Sequence, residues 1–408
     1  MHRENEAVLA EDGAVYLSGV TSPDAKPWEP FAEPVLVFLE QLSGAIRRKQ
    51  CRYEEMAAFG FWCRRSHLEE FRRRYEDGCL RIGRGVIFHI PASNVPVLFA
   101  YSLVMGLLAG NSCSVRISSR YREQDRELCR IMDELLRRPE HVDMRKRISV
   151  FSCERDAPAI IRETGRCAGC VVWGGDQAIK DIRTLPMRAD AVQMVFPDRY
   201  SVCILDAGRI GDMERHELEA LAHRFYNDTY AMDQNACSSP GFILWNQDGA
   251  DRDSIRKRWW DAVAAQAAGY RMTAHKATVK YEALCRYAMS LDEVQTVERR
   301  SNLLYTVTLS GIPDNPEEIR GICRLFFEYC GDWREALSCL AGSRLQTVTC
   351  FGVEEREIAE YAVRNHFPGV HRVVPVGRAM EMELVWDGQD FISILSRQIG
   401  LEVQNASV

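Results

Sequence analysis

From Gly85 onward, short apolar runs alternate with amphipathic stretches almost without interruption. A β-rich run at 85–90 is closed by the turn Pro91-Ala92-Ser93-Asn94, and an apolar stretch at 95–109 follows. After Gly110-Asn111 comes a second β-rich run, at 112–118. This spacing predicts a strand, a buried helix and a parallel second strand. The rhythm continues with a charged helix near 121–138, a strand near 147–151, a helix near 157–164 and a strand at 169–173 that stops at Gly174-Gly175. A helix near 177–183 and strands near 191–195 and 201–205 complete the series. These strands are apolar throughout rather than alternating, as strands covered on both faces are. The expectation is a doubly wound α/β domain.

Residues 1–30 read as a strand-and-turn prelude, and 31–76 show helical spacing with charged faces. A second unit is expected from about residue 211, where a long helix at 214–228 leads into the polar segment Asp233-Gln234-Asn235-Ala236-Cys237-Ser238-Ser239-Pro240. The expected division is 1–210, 211–375, and a segment 376–408 that folds back on the first domain.

Composition narrows the function. With 408 residues and 46% hydrophobic content the chain can bury large cores. Net charge is −6, and no basic block suggests nucleic acid or a membrane surface. The longest apolar stretch, 95–110, is shorter than the roughly 20 residues a spanning helix needs. The N-terminus lacks an apolar signal core, so a cytoplasmic protein is expected. Fifteen cysteines, odd in number and irregularly spaced, then imply reduced thiols. The CxxC at Cys167–Cys170 has no second pair to complete a zinc site, and no metal is expected.

Four segments carry candidate chemistry. Cys237 stands among small polar residues in a turn, where a thiol can face a cleft and meet backbone N–H groups that lower its pKa or hold an oxyanion; the alternative is a loop thiol of no consequence. Asn94 follows the first strand, at the edge where open parallel sheets bind ligands; turn and cap chemistry explain it equally well. Arg116, Ser118 and Ser119 occupy the end of the next strand, with no acid before Glu123. A dinucleotide there would be NADPH, whose 2′-phosphate wants cations where NADH wants a carboxylate, although a solvated Arg/Ser turn looks the same. Trp173, Gly174 and Gly175 end a strand and open a helix, allowing close backbone approach to a pyrophosphate or nicotinamide, or forming only a turn.

Together these segments resemble the acyl-CoA reductase branch of the aldehyde dehydrogenase superfamily, typified by the reductase subunit of bacterial luminescence fatty acid reductase. The resemblance runs from about Gly85 to Arg397 and rests on HIPASNVP, the GN…RISS strand, VVWGGD, DRYSV, DQNACSSP and WDGQDFISILSRQ. It implies an aldehyde-dehydrogenase-like fold of two doubly wound α/β domains with a small arm or tail. Residues 1–210 would bind the nicotinamide cofactor and 211–375 would carry the catalytic cysteine. Cys237 would take the acyl group from a thioester, and NADPH would reduce it to aldehyde. Asn94 and the Cys237 N–H would hold the oxyanion. Arg116, Ser118, Ser119, Trp173, Gly174 and Gly175 would meet the cofactor. The superfamily's hydrolytic glutamate has no counterpart in 195–201, VFPDRYS. Without that base an acyl-enzyme should persist until a thiol or hydride reaches it.

The resemblance also implies an acyl-CoA or acyl-carrier-protein substrate, an acyl-activating ligase as partner, and a homo-oligomer formed through an arm, for which 75–84 is the candidate. What activates Cys237 is not visible; His223 and Asp228 lie upstream on the helix. A cysteine acyltransferase or thioesterase without redox chemistry, and a non-catalytic scaffold, remain as alternatives.

Overall fold

The computed structural model describes residues 10–49, 53–246 and 252–400. Residues 50–52, within the stretch expected to be helical, and 401–408, the end of the expected C-terminal segment, lie outside the described residues. The chain forms two compact units, one running to Pro197 and resuming at Glu383, the other spanning Asp198–Met382.

The first unit contains β1 (Val15–Gly19), β2 (Arg81–Gly83), β3 (Val86–Ile90), β4 (Ser112–Ser118), β5 (Ile148–Cys153), β6 (Gly169–Trp173) and β7 (Val192–Phe196). Six of these make one sheet in the order β1-β5-β4-β3-β6-β7, with β1 antiparallel to β5 and every other pairing parallel. β3, β5 and β6 are buried at every position, as their unbroken apolar runs foretell. The buried helix is Leu98–Leu108. It lies so close to the sheet that a Cβ on Gly106 would be 2.7 Å from His89 Nε2 and 2.6 Å from Cys113 Sγ. Asn111 fastens the strand ends. Its side-chain oxygen accepts from the N–H of Arg84 (2.6 Å) and Gly85 (3.2 Å), and its amide donates to the carbonyls of Gly106 (3.2 Å) and Leu395 (2.9 Å). Each bond contributes about 1 kcal/mol, and a buried amide left unpaired would cost more.

The C-terminal return belongs to this unit. Ser396–Gln398 pairs antiparallel with β2, so the candidate arm at 75–84 ends in a strand matched within its own chain. Arg84 Nε donates to the Ile394 carbonyl (2.7 Å), and the Tyr75 hydroxyl donates to Asp390 (3.0 Å).

The second unit contains β8 (Tyr200–Asp206), β9 (Pro240–Asn246), β10 (Val294–Arg300), β11 (Leu304–Leu309), β12 (Leu325–Cys330), β13 (Leu345–Phe351) and β14 (Arg372–Pro375). They form a sheet in the order β10-β11-β12-β9-β8-β13-β14, parallel except for the edge strand β10. The strand expected near 201–205 in the first domain therefore lies inside the second sheet, between β9 and β13. The compact units divide at 197/198 and 382/383 where 210/211 and 375/376 were expected. The reason is energetic. β8 sends Val202 and Ile204 into one apolar cluster and Cys203 and Leu205 into another, on its opposite face. A strand so buried needs a parallel neighbour on each side, and β9 and β13 supply them.

Candidate active site

In the first sheet the winding reverses at β3, which has β4 on one side and β6 on the other. The carboxyl ends there form the crevice in which open parallel sheets bind ligands. The structure gathers the expected residues of this unit at that edge. Asn94 follows β3, Ser118 ends β4 with Ser119 next, and Gly174 and Gly175 follow β6.

The turn that carries Asn94 is anchored from the helix Glu123–Leu136 and the residue before it. Arg122 Nη2 donates to the Asn94 carbonyl (3.0 Å), and Asp125 accepts the N–H of Val97 (3.0 Å). Val97 has φ 63°, a strained conformation for a β-branched residue. Burial raises the Asp125 carboxyl above its ordinary value, against the N–H groups of Val97 and Arg122 that favour its charged form. Asn94 itself is exposed, and its side-chain amide makes no hydrogen bond among the described residues.

Arg116 lies within β4 and is 7% exposed. Its Nη2 donates to the Cys153 carbonyl (2.8 Å), while Nε is a buried donor with no partner among the described residues. Trp173 is a packing residue by its side chain: its ring stacks on Phe196 at 3.9 Å, and Nε1 donates to Ser102 Oγ (3.0 Å). Gly174 and Gly175 are not demanded by the protein's own packing. A Cβ on Gly174 would meet only Ala178 at 3.5 Å, and one on Gly175 nothing within 4 Å. Open backbone at the start of the helix Asp176–Arg183, with an unpartnered guanidinium N–H nearby in the sheet, fits a dinucleotide.

Cys237 stands at the opposite kind of edge. The helix Arg215–Thr229 ends ahead of it, and the thiol loop turns directly into the amino end of β9. The loop is fixed by its own polar residues. Ser201 Oγ donates to the Cys237 carbonyl (2.6 Å), Ser239 Oγ donates to the Asp228 carbonyl (2.8 Å), and the Ser239 N–H closes on Ala236 (2.9 Å). Cys237 is half-buried, whereas Cys203 is fully buried and its thiol pKa is driven up by desolvation. A pocket of about 210 Å³ opens beside Cys237 where β8, β9 and β12 begin, walled by Asp198, Arg199, Tyr200, Phe242, Arg320 and Gly321 among others.

Among the described residues Asp198 is the only carboxylate lining that pocket, and it is exposed and bound to Arg320 at 2.9 Å. His223 is exposed on its helix and stacks against Tyr226. Asp228 is buried and accepts the N–H groups of Gly377 (2.6 Å) and Ala379 (2.9 Å). Burial pushes its carboxyl up to about 7 despite those two bonds. Neither residue lines the pocket.

Sequence reading missed the wall at 319–322 and the groups that hold Asp233. That carboxylate accepts from Lys276 Nζ (2.8 Å), Arg324 Nη2 (2.8 Å) and the Tyr270 hydroxyl. Burial alone would raise its pKa, but these donors hold it below the ordinary carboxylate value. Gly321, isolated just before a strand, was the one available signal of close backbone approach. Among the described residues no group of three or more His, Cys, Asp or Glu could hold a metal ion, the cysteines are free thiols, and no helix is long and apolar enough to cross a membrane.

A family model described as acyl-CoA reductase (LuxC) matches residues 32–397. No curated protein sequence is similar enough to match. Among solved structures the fold is similar to aldehyde dehydrogenase 21 from Physcomitrella patens, with a TM-score of 0.64 and 12% identity over 92% of this chain and 87% of that one. An NAD-dependent aldehyde dehydrogenase from Sinorhizobium meliloti gives 0.64 and 14% over 94% and 84%. A 1-pyrroline-5-carboxylate dehydrogenase gives 0.62 and 13% over 90% and 80%.

Proposed function

The chain belongs to the acyl-CoA reductase (LuxC) family and has the aldehyde dehydrogenase fold, and on that premise we propose that it reduces an acyl thioester to an aldehyde with NADPH through an acyl-Cys237 intermediate. The Cys237 thiolate attacks the thioester carbonyl, the C–S bond to the donor breaks, the donor leaves as a thiolate that takes its proton from solvent, and the acyl group remains on the Cys237 sulfur. When bound, the cofactor supplies a hydride to the acyl carbon. The thiohemiacetal on Cys237 then collapses to aldehyde and frees the thiolate. Asn94 and the Cys237 N–H are assigned as donors to the oxyanion. Ser118, Ser119 and Arg116 at β4 are assigned to the adenosine side, where the lack of an acid before Glu123 favours a 2′-phosphate. Gly174 and Gly175, just before the helix Asp176–Arg183, would meet the cofactor, and the neighbouring Trp173 ring stacks on Phe196.

One observation carries the reading. Among the described residues Asp198 is the single carboxylate lining the Cys237 pocket, and it pairs with Arg320 instead of standing over the thiol loop as a lone base. An acyl-enzyme in such a pocket survives long enough to be reduced. The donor is acyl-CoA or an acyl carrier protein, with an acyl-activating ligase as its source.

The test is incubation with a panel of acyl-CoA and acyl-carrier-protein thioesters, with and without NADPH. Intact mass should show an adduct on Cys237 without cofactor, and NADPH absorbance should fall as the adduct is discharged. An adduct that never oxidises NADPH would transfer the assignment to acyl transfer; discharge by NADH alone would correct the cofactor.

A further inference from the structure

Four non-glycine residues of the second unit adopt left-handed backbone as two consecutive pairs. They are Asp233 (φ 57°) with Gln234 (φ 58°), and Cys323 (φ 47°) with Arg324 (φ 70°). Such a conformation is strained for a residue with a side chain and persists only where its surroundings over-determine it. Here each pair is held in part by the other, with Lys276 and Tyr270 also on Asp233. Gln234 Oε1 accepts the backbone N–H of Arg324 (2.8 Å), and Gln234 Nε2 donates to the Pro240 carbonyl (3.3 Å). The fully buried Arg324 side chain donates from Nη2 to Asp233 (2.8 Å) and to the Tyr230 carbonyl (3.2 Å), with its guanidinium 3.5 Å from the Tyr270 ring centroid. Behind them two glycines meet: a Cβ on Gly321 would lie 2.6 Å from both Gln234 Nε2 and Gly241 Cα.

Two walls of one pocket are thereby locked together, the 233–237 loop that bears the thiol and the 319–322 segment that faces it. Arg324 is fully buried while the Asp233 side chain is about a third exposed, so their ion pair is a weak source of stability: desolvation of the arginine and solvent screening at the carboxylate offset its attraction. What it does supply is a single geometry. We propose that Arg324, acting with Asp233 and Gln234, is a positioning residue that sets the Cys237 loop against the 319–322 wall in the arrangement the thiol needs to react. The proposal rests on Cys237 being the nucleophile.

The test uses the full chain with Arg324→Ala and Asp233→Asn, singly and combined. Three quantities are read: the rate of Cys237 alkylation by iodoacetamide across pH, followed by peptide mapping; single-turnover acylation from acyl-CoA; and the thermal midpoint. Exposed Cys285 serves as a reactivity control, and buried Cys203 as a reporter of unfolding. Each single variant should slow both Cys237 reactions about ten- to a hundredfold, the loss expected of a misplaced reacting group. Cys285 should be unaffected, Cys203 should stay protected, and KM for acyl-CoA should barely move. Losses should be non-additive in the double variant, as for residues acting as a unit. Added guanidinium should restore Arg324→Ala.

Parental Cys237 rates in either variant, additive losses, or slowing that appears only with Cys203 exposure would overturn the proposal. Where Arg324→Ala does not fold, Asp233→Asn and Gln234→Glu decide by the same rates. If the parent accepts no acyl group from any thioester, the nucleophile assignment falls by itself, and alkylation still decides the clamp because iodoacetamide needs only the thiol.

Discussion

In the first unit the assigned residues stand at or after the carboxyl ends of strands: Asn94, assigned to the oxyanion, after β3, and Ser118 closing β4 and Gly174 after β6, assigned to the cofactor. In the second unit Cys237 precedes the amino end of β9, and its pocket walls precede β8 and β12. Both sheets are mainly parallel, yet the residues assigned in them stand at opposite ends of the strands. Helices begin after the first set of strand ends, so backbone N–H groups and the positive end of the helix dipole favour a phosphate-bearing ligand there. At the amino edge a helix ends instead, at Thr229, and offers carbonyls. The polar order around the thiol must then come from side chains, and it does, through Ser201, Ser239, Asp233 and Arg324. The general rule for open sheets points to the strand ends of the first unit; Cys237 was singled out by its local motif.

The sharpest way to break this comparison is Cys237→Ala. It should abolish both the acyl adduct and NADPH oxidation, and normal turnover would remove the amino edge from the mechanism. Next, Asn94→Ala at the carboxyl edge should lower kcat roughly a hundredfold with little change in KM. A change confined to KM would make Asn94 a binding residue. Third, Ser119→Glu should shift preference from NADPH toward NADH by about tenfold or more, since a carboxylate there repels a 2′-phosphate and accepts from a ribose hydroxyl. An unchanged ratio of kcat/KM values would place the phosphate elsewhere.

The smallest effect concerns Asp228. Its folded pKa, about 7, is raised above the unfolded value of 3.8, so the folded state binds the extra proton between these values. This group's contribution to stability therefore falls as pH rises from about 4 to 7. Asp228→Asn should remove that slope. The Tm difference between parent and variant should change by a few degrees between pH 5 and 7.5, and a constant difference would mean that Asp228 does not titrate in this range.

Much of the architecture was legible because burial on both faces leaves an unmistakable mark. Val86–Ile90 and Gly169–Trp173 could be little else than central strands, and the stretch around Leu98–Leu108 a covered helix. What such runs do not encode is which sheet they join. β8 is apolar on both faces like β6, and only its pairing with β9 and β13 distinguishes them. The site was legible where a motif is contiguous, as in 233–240. Arg324 lies far along the chain from Asp233, and nothing in Cys323-Arg324 announces left-handed backbone. Asp228, read as a candidate activator of Cys237, was not identifiable as the anchor of 377–379, because its partners are backbone N–H groups that carry no side-chain signature.

The pairing of Ser396–Gln398 with β2 also bears on the order in which the chain is made. Every strand of the second sheet has been synthesised once residue 375 is in place, and that unit is continuous from Asp198 to Met382. The first unit, begun earlier, waits longer: the Asn111 amide lacks the Leu395 carbonyl, Arg84 lacks Ile394, and β2 lacks its neighbour until translation has passed residue 398. The later half of the sequence can thus reach its native pairing before the earlier half, and a chain truncated near residue 390 would carry a complete thiol-bearing unit beside an unfinished partner.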